Sequence, residues 1–119
     1  MGLDIYFNKV KTHRLKSFRK VNFLVKFFKT KGMDVENQRP FWVNKEDCEE
    51  LLNLCDQVLS DHSKAKELLP TMSGFFFGGT DYDTFYFDDV KEVKEYMKEL
   101  IPEFEKLEPD EFIQFAIWY

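Results

Sequence analysis

The chain is 119 residues long, 44% hydrophobic and 33% charged, which fits one globular domain and excludes a disordered chain or two independent cores. Its formal charge of −5, from 17 basic and 22 acidic residues, argues against general nucleic-acid binding, which depends on neutralising phosphates. Fourteen Phe, five Tyr and two Trp supply an aromatic-heavy core, each ring able to bury roughly 150–250 Å².

Residues 3–10, LDIYFNKV, alternate: Leu3, Ile5 and Phe7 share one face, and Asp4, Tyr6 and Asn8 the other. That pattern predicts a half-buried strand. This opening stretch lacks a signal-peptide pattern, and Tyr6 stands where a myristoylation motif needs Ser or Thr. With no run of 18 apolar residues, a membrane span is not expected and a cytoplasmic location follows. Residues 9–31 carry Lys9, Lys11, Arg14, Lys16, Arg19, Lys20, Lys26, Lys29 and Lys31 without an acid, whereas acids dominate from Glu46 onward. A basic end and an acidic end are expected, either as solvated faces that attract each other or as a docking surface for an anionic ligand.

From residue 15 to 31 the period changes. Phe18, Val21, Leu24, Val25 and Phe28 form a helical stripe, Phe23 and Phe27 widen it, and Gly32 reads as the C-terminal cap. A polar loop over 34–40 leads to a short strand at 41–43. Asn44 then caps a helix, with Glu46 and Asp47 in its first turn and a stripe of Cys48, Leu51, Leu52, Cys55, Val58 and Leu59. The two cysteines, seven apart on that helix, lie about 10 Å apart along its axis, beyond disulfide reach. With His13 and His62 isolated, no zinc spacing appears, and both cysteines read as core. A short helical turn stops before Pro70. Phe75–Phe77, bounded by glycines, read as extended. A further helix runs from Asp83 or Phe87 to about Ile101 on a stripe of Tyr86, Val90, Val93, Tyr96 or Met97, Leu100 and Ile101, and Pro102 ends or bends it. The closing stretch, 111–119, alternates with both faces apolar, which predicts a strand covered on both sides.

Three stretches together carry a resemblance. MGLDIYF at the start, FRKVNFLVKFF at 18–28 and LLPTMSGFFFGGTDYDTFYFDDVKE at 68–92 resemble a family of small uncharacterised proteins of phages, prophages and gut bacteria. The match spans most of the chain in order, and the Gly-Phe-Phe-Phe-Gly-small-Thr-Asp-Tyr-Asp segment is its most specific part. The resemblance implies no named activity, but it selects positions: Arg19, Lys20 and Asn22 on the helix pattern, and Gly74, Gly78, Thr80, Asp81, Tyr82 and Asp83 on the loop. The chain departs from the pattern where relatives carry His at Val25 and Trp at Phe27, and its tail is more apolar. Chemistry resting on that His is therefore not expected here.

The segment GGTDYD, residues 78–83, is the candidate site. Gly78 and Gly79 permit positive φ or a close backbone approach, and Thr80, Asp81 and Asp83 accept hydrogen bonds from backbone N–H groups. The loop reads as a structural turn into a helix, as a ligand-binding loop, or as a hard-cation site built from Asp81, Asp83 and Asp88. Two glycines before a helix also suggest a weak phosphate cradle, though the P-loop Lys is missing. Arg19 paired with Asp81 or Asp83 would explain the constellation structurally. The same groups could hold a small anionic or nucleotide-like ligand on Tyr82, Tyr86 or Trp42. Trp118 and Tyr119 suggest an apolar edge for a partner or a homodimer. No serine or cysteine nucleophile signature is present.

One α+β domain over residues 1–119 is thus expected. Its small, mostly antiparallel sheet comes from 3–10, 41–43, 75–77 and 111–119, with the first and last strands paired and about three helices packed on it. The expected function is a non-enzymatic phage or mobile-element accessory protein in the cytoplasm of a bacterial host. It would need no cofactor and would bind a host protein, in an anti-defence role for instance, or sequester a small anionic ligand. The alternatives are a small enzyme with a carboxylate or metal site in the loop, and a purely structural or oligomeric protein.

Overall fold

The computed structural model describes residues 2–7, 9, 11–74 and 78–118. Among the described residues it is an α+β fold in which a two-stranded antiparallel sheet packs against helices. The first helix, α1 (Asn22–Thr30), starts later than its apolar stripe suggests. Lys20 sits at φ 57°, in the left-handed region that a continuing helix cannot use, so residues 15–21 stay outside it. Phe23, Leu24, Val25, Phe27 and Phe28 are all buried, so α1 packs on two sides as its broad stripe predicts. At its end Gly32 (φ 113°) donates to Lys29 O at 3.1 Å and Met33 donates to Phe28 O at 3.0 Å. These two bonds form a Schellman cap, which needs the glycine's positive φ.

Strand β1 (Phe41–Val43) precedes α2 (Lys45–Ser60). Asn44 Oδ1 accepts from Asp47 N at 2.8 Å, which makes it the N-cap expected from its position. Cys48, Leu51, Cys55 and Val58 are fully buried along one stripe of α2, and Leu52 and Leu59 are half-buried. A 3-10 turn (His62–Lys64) leads into α3 (Ala65–Leu68), which stops before Pro70. The long helix α4 (Thr84–Leu100) buries Tyr86, Val90, Val93, Met97 and Leu100. It packs mainly against α2, and Lys94 Nζ bridges to Asp56 at 2.7 Å between the two. At Pro102 the chain tightens into a 3-10 segment (Ile101–Lys106). The basic and acidic parts meet through Lys31 with Glu50, and Lys16 with Glu92 at 3.2 Å.

Strand β2 (Ile113–Phe115) pairs antiparallel with β1, in the register Phe41 to Phe115, Trp42 to Gln114 and Val43 to Ile113. Phe28 of α1 stacks on Phe115 at 4.4 Å and meets Phe41 at 5.7 Å, so the sheet's inner face rests on α1. Two expectations are corrected. The last strand pairs with residues 41–43 rather than with 3–10, and it is covered on one face only: Phe112 and Trp118 point to solvent. Leu3 to Phe7 alternate but form no strand, and Leu3, Ile5 and Phe7 are exposed, so their apolar face finds no cover among the described residues. The expected strand at 75–77, together with Asn8, Val10 and Tyr119, lies outside the described residues. Among the described residues, no helix is long and apolar enough to cross a membrane.

Candidate functional site

The segment from Leu69 to Asp83 connects α3 to α4, and its polar groups tie those helices to α1. Asn22, the first residue of α1, is 4% exposed. Its Nδ2 donates to Gly79 O at 2.7 Å, and its Oδ1 accepts from Met72 N at 3.1 Å. One amide thus holds both ends of the loop against the start of α1. The helix's own N-cap, Val21, offers no side-chain bond, so Asn22 is committed across the fold rather than to its own turn. Gly78, at φ 82°, lies against Lys20: a Cβ there would come within 3.1 Å of the Lys20 Cβ. Both the dihedral and the approach require glycine. Lys20 at φ 57° and Gly78 at φ 82° are therefore two adjoining left-handed positions at one contact.

The second half of the loop is held by two tyrosines. The Thr71 backbone N–H donates to the Tyr82 hydroxyl at 3.1 Å, and Thr71 Oγ1 donates to Thr80 O at 3.0 Å. The Tyr86 hydroxyl donates to Leu69 O at 2.7 Å, closing the C-terminal end of α3. Tyr86 packs edge-to-face on Phe23 at 5.3 Å and on Tyr82 at 5.0 Å. Burial pushes the Tyr86 phenol upward, so it stays a neutral donor. Asp83 caps α4, its Oδ1 accepting from Tyr86 N at 3.0 Å.

The structure therefore brings Lys20, Asn22, Gly78 and Gly79 together on one side of the loop, and Thr80, Tyr82, Asp83 and Tyr86 on the other. Arg19 and Asp81 are exposed, and among the described residues no ion pair joins Arg19 to Asp81 or Asp83. The geometric reason is that an amide can donate to a carbonyl and accept from an N–H at once, whereas a guanidinium only donates. Asn22, not Arg19, meets the loop. The expected phosphate cradle is also corrected: α4 begins at Thr84, beyond the glycines, and the Asp83 carboxylate occupies its N-terminus. Asp81, Asp83 and Asp88 do not assemble as a cation site. Among the described residues no group of three or more His, Cys, Asp or Glu side chains is placed to hold a metal.

Two features escape sequence reasoning. His62 and Phe87, 25 positions apart, stack at 3.7 Å with their planes 11° apart. They line an open groove of about 600 Å³ with Leu59, Tyr82, Asp83 and Lys91. Nothing local in the sequence announces that meeting. The other feature is the outer face of the β1–β2 sheet, where Trp42 and Phe112 lie 5.6 Å apart, 63% and 71% exposed; Trp118, further along the chain, is 94% exposed. The alternation of 111–119 contains this signal once only one of its faces is covered. Cys48 and Cys55 are buried and free, and burial pushes each thiol up to about 12, so neither presents a thiolate. Asp89 on α4 is raised as well, by burial first and then by Glu92, Asp88 and Asp83. Comparisons with protein-family models, curated proteins and solved structures find no match for this chain.

Proposed function

We propose that this chain is a binding protein whose partner is another protein, engaged through the outer face of the β1–β2 sheet. The observation that carries the reading is the position of its two tryptophans. Fourteen Phe dominate the aromatic content, while both Trp42 and Trp118 stand largely in water, Trp42 against the exposed Phe112. Tryptophan and other aromatics on a flat, uncovered face are the side chains that anchor protein interfaces, because each buries much area for little lost freedom. The resemblance to phage and prophage proteins supports a host protein as the partner and an accessory, non-enzymatic role.

The second reading, sequestration of a small nucleotide-like ligand, rests on the planar His62–Phe87 pair in its groove. Asp83 and Asp88 on the same wall oppose an anion and only Lys91 favours one, so the groove supports the reading less than the sheet supports the first.

The test compares the wild-type chain with a Trp42→Ser/Phe112→Ser variant, both immobilised and exposed to host extract. Circular dichroism serves as the control for folding. A partner retained by the wild type and lost by the variant is the expected result, with a blue shift of tryptophan emission when purified partner is added. Equal retention by both proteins, or a bound partner that leaves the emission unchanged, would rule the face out.

A further inference from the structure

We propose that residues Leu3–Phe7 pair, as an added β-strand, with an open edge of the β1–β2 sheet in a second copy of the chain. This goes beyond the partner-binding face and uses different groups, the sheet's edges and its inner side.

The argument starts from two unsatisfied halves. Among the described residues β1 pairs only with β2, and no other strand lies along the second edge of either. A sheet of two three-residue strands is marginal alone, and an open edge is a template for another strand. The inner face is also incompletely sealed: Phe41, Val43, Phe115 and Ile117 are only half-buried against the core. The complementary half is the arm. Leu3, Ile5, Tyr6 and Phe7 are 86%, 75%, 73% and 102% exposed, yet Leu3, Ile5 and Phe7 alternate on one face as a strand's do. With those three turned inward, an added strand would extend the half-buried row and pack against its margin.

Among the described residues of one chain, the arm and the sheet edges do not meet. Its arm departs over α4, where Lys16 bonds Glu92 and Phe18 packs edge-to-face on Tyr96 at 5.9 Å. The sheet packs instead on α1. The molecule measures 57 × 31 × 23 Å with a radius of gyration of 16.1 Å, above the roughly 13.5 Å of a compact domain of this length. Two copies related by a twofold axis exchange arms and satisfy both halves at once.

Charge favours the same occupant. Residues 1–20 hold six basic side chains and one acid, whereas residues 21–119 hold 11 basic and 21 acidic ones. The arm of one copy is therefore drawn to the body of another. Size is sufficient as well. The three inward side chains, Leu3, Ile5 and Phe7, at roughly 150 Å² each give about 450 Å² per arm. Two arms with the surfaces that receive them reach the range of stable interfaces, about 1,200–2,000 Å².

The experiment is sedimentation of the full chain over a range of concentrations, with hydrogen exchange followed at the Leu3–Phe7 amides. The expected result is a dimer of twice 14.4 kDa whose arm amides are protected and which weakens as salt is added. Only alternate residues of an edge strand point their N–H at the neighbour, so Ile5→Pro and Tyr6→Pro are made separately. At least one should weaken the dimer about tenfold or more and remove the protection, with the helical signal unchanged. The Trp42→Ser/Phe112→Ser variant should keep the dimer, which separates this proposal from the partner face. A chain that stays monomeric at every concentration overturns the proposal. So does protection of the arm within the monomer, or a dimer indifferent to both proline variants.

Discussion

Replacing Asn22 tests whether the loop is held by the amide described above. In Asn22→Ala the Met72 N–H and the Gly79 carbonyl both lose their partner. Two hydrogen bonds at about 1 kcal/mol each are removed, and the half-buried Met72 N–H is left short of water, so the cost is about 2–3 kcal/mol. For a domain of this size that lowers Tm by roughly 8–12 °C. Asn22→Asp isolates the Gly79 half. Its carboxylate still accepts from Met72 N, but its other oxygen faces the Gly79 carbonyl where the amide stood at 2.7 Å. Only a protonated carboxyl can donate there, so the folded state raises the pKa of the introduced acid above its unfolded value of about 3.9. With a raised folded pKa, the variant matches the wild type best below the unfolded pKa and loses stability as pH rises through the folded one. Thermal melts of the three proteins across a pH series measure both effects. An Asn22→Ala shift under about 3 °C, or an Asn22→Asp deficit independent of pH, would refute the clasp.

Asp83→Ala should cost about 1 kcal/mol by removing the cap of α4, whereas Asp83→Asn, which can still accept from Tyr86 N, should stay close to wild type. Equal losses in denaturant titrations of the two variants would show that the charge matters rather than the cap. Asp89 is raised by burial and by its acidic neighbours Glu92, Asp88 and Asp83, so its ionised form opposes folding. Its folded pKa exceeds the unfolded value, and its destabilising effect grows as pH rises through that window. Asp89→Asn should therefore raise Tm at neutral pH, with the gain fading on acidification into the ordinary carboxylate range. A gain that does not change with pH would contradict this reading.

What the sequence made legible is what neighbouring residues decide together. The Asn44 cap, the Gly32 terminus, the α2 stripe of Cys48, Leu51, Cys55 and Val58, and the α4 stripe ending near Pro102 all depend on groups within a few turns. The misreadings have long-range or single-dihedral causes. The stripe through Phe18 and Val21 has the helical period, yet Lys20 sits at φ 57° against Gly78, 58 positions away. The alternation of residues 3–7 is real, but alternation fixes a face and not a partner. For the candidate loop the sequence shows both halves of the constellation, but charge points to Arg19 as a candidate bridge, while Asn22 bridges by offering donor and acceptor at once. The His62–Phe87 stack joins two segments that share no periodicity, so no pattern could reveal it.

Once the loop's polar groups are assigned, the balance between structural and recognition residues reverses. Asn22, Thr71, Tyr82, Asp83 and Tyr86 are engaged in joining α1, α3 and α4, and the two thiols are buried and protonated. Exposed charges such as Arg19 and Asp81 sit in water at little cost and so say little about binding. Exposed Trp42, Phe112 and Trp118 are different, because each ring left in water forgoes about 2 kcal/mol of burial. Together they forgo about 6 kcal/mol, comparable to the whole stability of a small domain. The inner side of the same sheet packs its aromatics on Phe28, which shows that this layer can bury rings when something covers them. On the reading proposed above, a partner that covered Trp42 and Phe112 on the outer side would recover part of that energy as affinity.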